Sequence, residues 1–285
     1  MDPMMIVKLL AVSSLLLLVL SFGLETSLAE AFAFLQAPLL SAKAMAAMFL
    51  VVPAVALGLS LLLPLVPATM FALLALAVSP MPPVFPGKGA KVGGGSRYVM
   101  SLFVLATAFT FIAAPLILHL DARLLGVGLA FEARQVAITL AATAVIPLAA
   151  GLLLGHLAPG LAKRIVHPFA VGGKLLLGLT ALLALAITAP NMWQAVGNFT
   201  LVACALLAAA ALAAGHLLGG PGEGNRAALA TAASLRHPGV AMAMAASAGT
   251  SDSQQVTATV LIYLIIATLL GIAYDKWRER SHQRA

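Results

Sequence analysis

Apolar residues along this chain come in long blocks broken by short polar or proline-rich joints. Blocks such as Leu9 to Leu20 lack the two-residue in/out alternation of a barrel strand, so they read as helices. A helix needs about 20 apolar residues to cross a bilayer, where every backbone group has to be satisfied within the segment. On that rule, continuous spans are expected near residues 5–23, 41–61, 97–119, 134–156, 167–188, 198–219 and 254–274. Two further blocks, 67–94 and 226–248, are interrupted, which brings the expected total to nine spans. Between the first two spans, Ser27 to Leu35 gathers its apolar residues on one helical face. It reads either as a short helix lying in the interface or as an extension of the first span.

Composition narrows the class. Of the 285 residues, 62% are apolar and 9% are charged, which predicts an all-α polytopic membrane protein. Lys8 ahead of an apolar run resembles a signal peptide, but no small-x-small cleavage site follows, so residues 5–23 are read as a span. The single Cys204 lies in an apolar block and reads as a small core residue. The formal net charge of +7 is scattered over span ends and the tail, a pattern that excludes a nucleic-acid face. One side of the expected topology collects Lys43, Lys88, Lys91, Arg97, Lys163, Arg164, Arg226, Lys276, Arg278, Arg280 and Arg284. The other side holds Lys8, Arg123 and Arg134. Cytoplasmic loops carry the basic excess, so the carboxyl terminus is expected inside and, with nine spans, the amino terminus outside. A bacterial inner (plasma) membrane is the expected location.

The interruptions are chemically distinct from the spans. In the first, Pro80, Pro82, Pro83 and Pro86 fall within seven residues and remove four backbone donors. In the second, Ser234-Leu235-Arg236-His237-Pro238-Gly239 sets a cation and an imidazole at a break, and Pro238 deprives the Ser234 carbonyl of its helical partner. Open backbone at membrane depth is tolerated where protein or a water-filled cavity covers it. Paired interruptions in two halves of a chain point to an inverted-repeat secondary transporter with substrate held where the breaks meet. The expected organisation is a first repeat at 1–119, an unpaired fifth span at 120–156, a second repeat at 157–274 and a basic tail at 275–285.

With these features in place, the chain resembles the bile acid:sodium symporter family, within the wider bile acid, arsenite and auxin-efflux carrier superfamily. The residues carrying the resemblance are Phe22-Gly23-Leu24, Pro38-Leu39-Leu40, Val52-Pro53, Ser79-Pro80 and Pro238-Gly239-Val240-Ala241. The resemblance implies a core domain with two discontinuous crossing helices, a panel domain that moves against it, and alternating access for an organic anion, usually with sodium. This chain is similar to the family's divergent nine-span form. Where the family's second crossover reads Glu-x-Gly-x-Gln-Asn-Ser, registering on Gly239 puts Ala232, Arg236 and His237 at the Glu, Gln and Asn. The family's Ser-Asn pair in the first crossover falls near Phe85 and Pro86. All nine acidic residues (Asp2, Glu25, Glu30, Asp121, Glu132, Glu223, Asp252, Asp275, Glu279) are expected in loops, termini or interfacial turns. Hard cations want several oxygens, so sodium coupling through the usual sites is expected to be lost.

Arg236 has three readings: a fixed internal cation holding half-helix carbonyls, a bidentate partner for a substrate carboxylate, or a residue near the surface that snorkels. His237 offers either a proton switch or a neutral hydrogen-bonding group. Ser79, Thr231 and Ser234 either touch substrate or satisfy freed backbone. Met242 and Met244 read as packing, and the Gly93-Gly94-Gly95 and Gly219-Gly220-Pro221-Gly222 runs as flexible joints. His156, His167 and His216 are too scattered for a metal site, and no metal or cofactor is expected. No buried nucleophile and base pair suggests an enzyme. The expected function is secondary transport of a small organic anion; the alternative is a non-transporting sensor or scaffold that keeps the fold. Substrate identity, direction of transport and oligomeric state do not follow from the residues.

Overall fold

The computed structural model describes residues 3–126, 133–195, 197, 199–246 and 253–282. Among these the chain is nearly all helix, with no strands. The first helix, α1, covers Pro3–Glu25. A one-turn α2 (Leu28–Ala31) and a 3-10 turn (Ala33–Gln36) follow, the former closed by a capping box between Ser27 and Glu30. Helix α3 (Pro38–Ala46) passes through a π-turn (Ala47–Val51) into α4 (Val52–Leu62). The first interrupted segment comprises α5 (Pro67–Val78) and α6 (Phe85–Lys91), with Pro80, Pro82 and Pro83 between them. Helix α7 (Ser96–Leu125) ends at Gly126, whose φ of 61° is the left-handed conformation that closes helices.

In the second part, α8 (Ala133–Leu140) runs through a π-turn (Ala141–Val145) into α9 (Ile146–Leu157). Helix α10 (Pro159–Ala195) has 37 residues, a length of about 55 Å at 1.5 Å per residue. Helix α11 (Thr200–Leu218) precedes the second interrupted segment, α12 (Glu223–Ser234) and α13 (Pro238–Ala246). The last helix, α14, covers Ser253–His282. It therefore continues through most of what the sequence suggests is a separate tail; Arg284 lies outside the described residues.

Among the described residues seven stretches are long and apolar enough to cross a membrane: Met5–Glu25, Pro38–Leu62, Ser96–Leu125, Arg134–Leu157, Pro159–Ala189, Thr200–Leu218 and Gln254–Arg280. They coincide with the seven continuous spans expected. Their outer faces are apolar, with Ile112, Leu175 and Leu182 each about two-thirds exposed, as lipid contact requires. The protein is thus a polytopic all-α membrane protein.

Two groups of helices pack differently. Helices α1, α9 and α10 form one, drawn together by glycine: a Cβ on Gly151 would meet the Leu20 carbonyl at 2.4 Å, and one on Gly23 the Leu148 carbonyl at 2.6 Å. Small residues allow such backbone approach, the usual basis of helix association in lipid. The other group surrounds the broken segments with α4, α7, α11 and α14. At one end of it, Thr69 shares hydroxyl hydrogen bonds with Thr200 (3.2 Å) and Thr259 (3.3 Å), joining α5, α11 and α14.

Parts of the glycine runs flanking the breaks are tightly packed rather than loose. A Cβ on Gly224 would lie 1.9 Å from the Gly93 carbonyl, and one on Gly94 would lie 2.8 Å from the Ala228 Cβ. Gly219 approaches Arg226 as closely, and Arg226 Nε donates to the Gly220 carbonyl at 2.8 Å. Gly94 and Gly219 are thus held in close backbone contact, which corrects the flexible-joint expectation at these two positions, whereas a Cβ on Gly95 would meet nothing within 4 Å.

Candidate functional site

The two breaks meet. The main-chain N–H of His237 donates to the Pro80 carbonyl at 3.0 Å, tying the second interruption directly to the first. Beside this bond Arg236 is fully buried, its Nη1 donating to the Ser79 carbonyl at 3.1 Å and its Nη2 to the Met48 carbonyl at 3.2 Å. Placement near the surface, one of the three readings of Arg236, does not match this burial.

Each acceptor is open for a reason written in the sequence. The Ser79 carbonyl would take a helical bond from residue 82 or 83, and both are proline. Met48 lies in the π-turn, where the Val52 N–H is given to the Ala47 carbonyl; the next residue, Pro53, has no N–H to offer. The Ser234 carbonyl loses its partner to Pro238 and is filled by the Tyr263 hydroxyl at 2.8 Å. Four prolines and a π-turn thus expose carbonyls, and a guanidinium, a phenol and an amide N–H occupy them.

The electrostatics agree with this arrangement. Ser79 and Ser234 close α5 and α12, and a helix end with unpaired carbonyls carries partial negative charge. Arg236 therefore sits against the negative ends of two half-helices. It forms no ion pair among the described residues, and its Nε has no partner.

The neighbouring side chains are occupied by backbone. His237 Nδ1 accepts from the Val240 N–H at 3.3 Å, capping α13. That bond uses the Nδ1 lone pair, so this geometry belongs to a neutral imidazole. The Ser79 hydroxyl donates to the Leu76 carbonyl (3.0 Å) and the Ser234 hydroxyl to the Thr231 carbonyl (3.2 Å). Thr231 also accepts the Leu235 N–H through its carbonyl. Pro86 opens α6, and Gly239 lies in the first turn of α13. Met244 is buried and Met242 half-buried.

Met48 and Tyr263 are the participants that sequence reasoning missed. Pro53 was the available signal for Met48, since a proline in a span deletes a donor and opens a carbonyl one turn back. A tyrosine in the middle of an apolar span was the signal for Tyr263, because its hydroxyl needs a partner when buried.

Among the described residues no group of three or more His, Cys, Asp or Glu could hold a metal ion. The acidic residues are not all peripheral, however. Asp121 is only 3% exposed in the last turns of α7, and this corrects the expectation that no carboxylate is buried. Asp2, Glu132 and Asp252 lie outside the described residues. A separate cavity of about 350 Å³ lies where α6 ends against α14, lined by Lys91, Val92, Gly93, Asp275, Arg278 and Glu279. There Arg278 Nη1 donates to the Val92 carbonyl at 3.2 Å.

The model of the Sodium Bile acid symporter family covers residues 12–195, a stretch that includes Met48, Ser79 and the whole first interruption and ends before the second. No curated protein matches the chain.

Proposed function

The chain belongs to the sodium bile acid symporter family, and from that premise we propose that it is a secondary transporter of a small organic anion in which Arg236 stands in for bound sodium. Membership of a transporter family makes it an integral membrane protein with a small-molecule substrate. The observation that carries the finer reading is the fully buried guanidinium between the Ser79 and Met48 carbonyls, at the crossing of two broken helices. A sodium ion at such a crossing would be held by oxygens, and here two carbonyl oxygens already hold a permanent cation. Ala232, Phe85 and Pro86 offer no side-chain oxygen, so the residues at the registered positions do not fit sodium. With both Nη atoms engaged, Arg236 acts as internal cation rather than as a clamp on substrate carboxylate.

On this reading the two broken segments count as spans, giving nine, with spans one to four repeated in inverted orientation by spans six to nine. The carboxyl terminus is cytoplasmic and the amino terminus outside, in a bacterial inner membrane. The α1–α9–α10 group is the panel against which the crossover group moves.

A second reading, a non-transporting sensor or scaffold, is favoured by one observation: Arg236, Ser79 and His237 are almost completely enclosed. The experiment that separates these readings uses purified protein in proteoliposomes with a panel of bile acids and short carboxylates. Counterflow in sodium-free buffer is expected for wild type. Counterflow that needs sodium would overturn the role given to Arg236, and its absence with every anion would favour the sensor. Thermal stability should rise with a bound carboxylate and stay unchanged with sodium, because a ligand that prefers the folded state raises its melting point by mass action.

A further inference from the structure

Among the described residues Asp121 is the one buried carboxyl, and the proposed function leaves it without a task. It lies in the last turns of α7 at 3% exposure, and its Oδ2 has no hydrogen-bond partner. Among the described residues no ion pair or hydrogen bond brings a counter-charge to it. Arg134, the charged residue of α8, is exposed, as are His119 and Arg123 on α7 itself. Helices α4, α5 and α13, both π-turns and the outer half of α10 carry no charged or titratable side chain, and α9 carries one, His156, in its last turn at the far end from the π-turn that meets α7.

A bare carboxylate is a poor occupant of such a place for two independent reasons. Burial without a partner strips its hydration. The C-terminal turn of a helix also presents unpaired carbonyls, whose partial charge is of the same sign. A proton on Asp121 removes both penalties and supplies a donor. Asp121 also sits at a junction: α7 follows the first interruption and packs on α8, which leads through a π-turn into α9 of the other helix group. Movement of one group against the other, as the proposed function has it, would change what covers this carboxyl.

We propose that Asp121 is a proton-coupling site, taking up a proton in the state described here and releasing it when the α7–α8 junction opens. The inference rests on the transporter reading, to which it adds the coupling ion. Its balance is simple: one proton joins a carboxylate oxygen on one side of the membrane and leaves it on the other, accompanying the substrate anion. Arg236, always charged, supplies the fixed cation and Asp121 the transferable one.

The test uses full-length protein in proteoliposomes, wild type beside Asp121→Asn, with whichever carboxylate of the panel shows counterflow. A one-unit pH gradient accompanying a monoanion drives accumulation of roughly tenfold when one proton travels with each anion. Wild type is expected to reach it, while Asp121→Asn keeps counterflow and accumulates nothing. Equal accumulation by the two proteins, or a wild type that ignores the pH gradient while still exchanging substrate, overturns this inference and leaves the transporter reading standing. Loss of counterflow in wild type for every anion overturns both. If Asp121→Asn fails to fold, infrared difference spectra of Asp121→Glu against wild type decide instead. A protonated-carboxyl band that shifts between the two supports the inference, and no such band overturns it.

Discussion

Arg236 works as a two-handed residue, and its replacements should separate charge from geometry. Lysine keeps the charge but delivers it from a single flexible point, so Arg236→Lys leaves one of the two carbonyls without its donor. Arg236→Met leaves both open in a buried setting, where an unsatisfied group costs ~1–3 kcal/mol. The expected order of melting temperature in detergent is wild type, then Lys, then Met; an unchanged melting temperature for Met would mean that the guanidinium holds nothing. Tyr263→Phe isolates the second donor. It removes one hydroxyl from the Ser234 carbonyl, and a stability loss of ~1–3 kcal/mol is expected in denaturant unfolding. His237→Gln offers a side chain that can still accept near the Val240 N–H and should retain most of the stability that His237→Leu loses.

At the level of elements, glycine placement gives the sharpest contrast. Gly224→Ala drives a methyl onto the Gly93 carbonyl, whereas Gly58, in α4, has nothing within 4 Å. Gly224→Ala is expected to lower the melting temperature markedly, because backbone at both sides leaves no flexible atom to yield. Gly58→Ala is expected to be neutral or stabilising by ~0.5–1 kcal/mol, since alanine is the better helix former. Comparing the two in one thermal series checks both. The same elements mark how far the residues could be read without coordinates. All seven continuous spans were legible because apolar length is a strong signal, and both interruptions were legible because Pro80, Pro82, Pro83 and Pro238 cannot continue a helix. Arg236 was legible as a group in need of partners because a cation between apolar blocks demands them. Its partners were not legible: both are main-chain oxygens, and no side chain at Met48 or Ser79 advertises them. Burial of Asp121 was also hidden, since it sits four residues from the end of a helix and local pattern there suggests an interface.

For the whole molecule, the scattered basic residues and the single cysteine make orientation directly measurable. In a Cys204→Ser background, a membrane-impermeant maleimide applied to intact cells should label Gly197→Cys and spare Lys163→Cys. The reverse pattern would invert the topology. Cys204 itself is buried and should resist labelling in the wild type. The long reach of Arg236 bears on a different event, the making of the protein. Its acceptors, Ser79 and Met48, lie 157 and 188 residues earlier in the chain. When the second broken segment leaves the ribosome, both carbonyls are already in the membrane, so the cation has a prepared socket to enter instead of bare hydrocarbon. The Ser234 carbonyl, in contrast, waits for Tyr263 of the last helix. Synthesis order and closure order are therefore expected to coincide, the second half inserting onto a template that the first half provides and α14 locking it. A fragment carrying only residues 196–285 should insert poorly on its own and recover when residues 1–195 are made in the same cell.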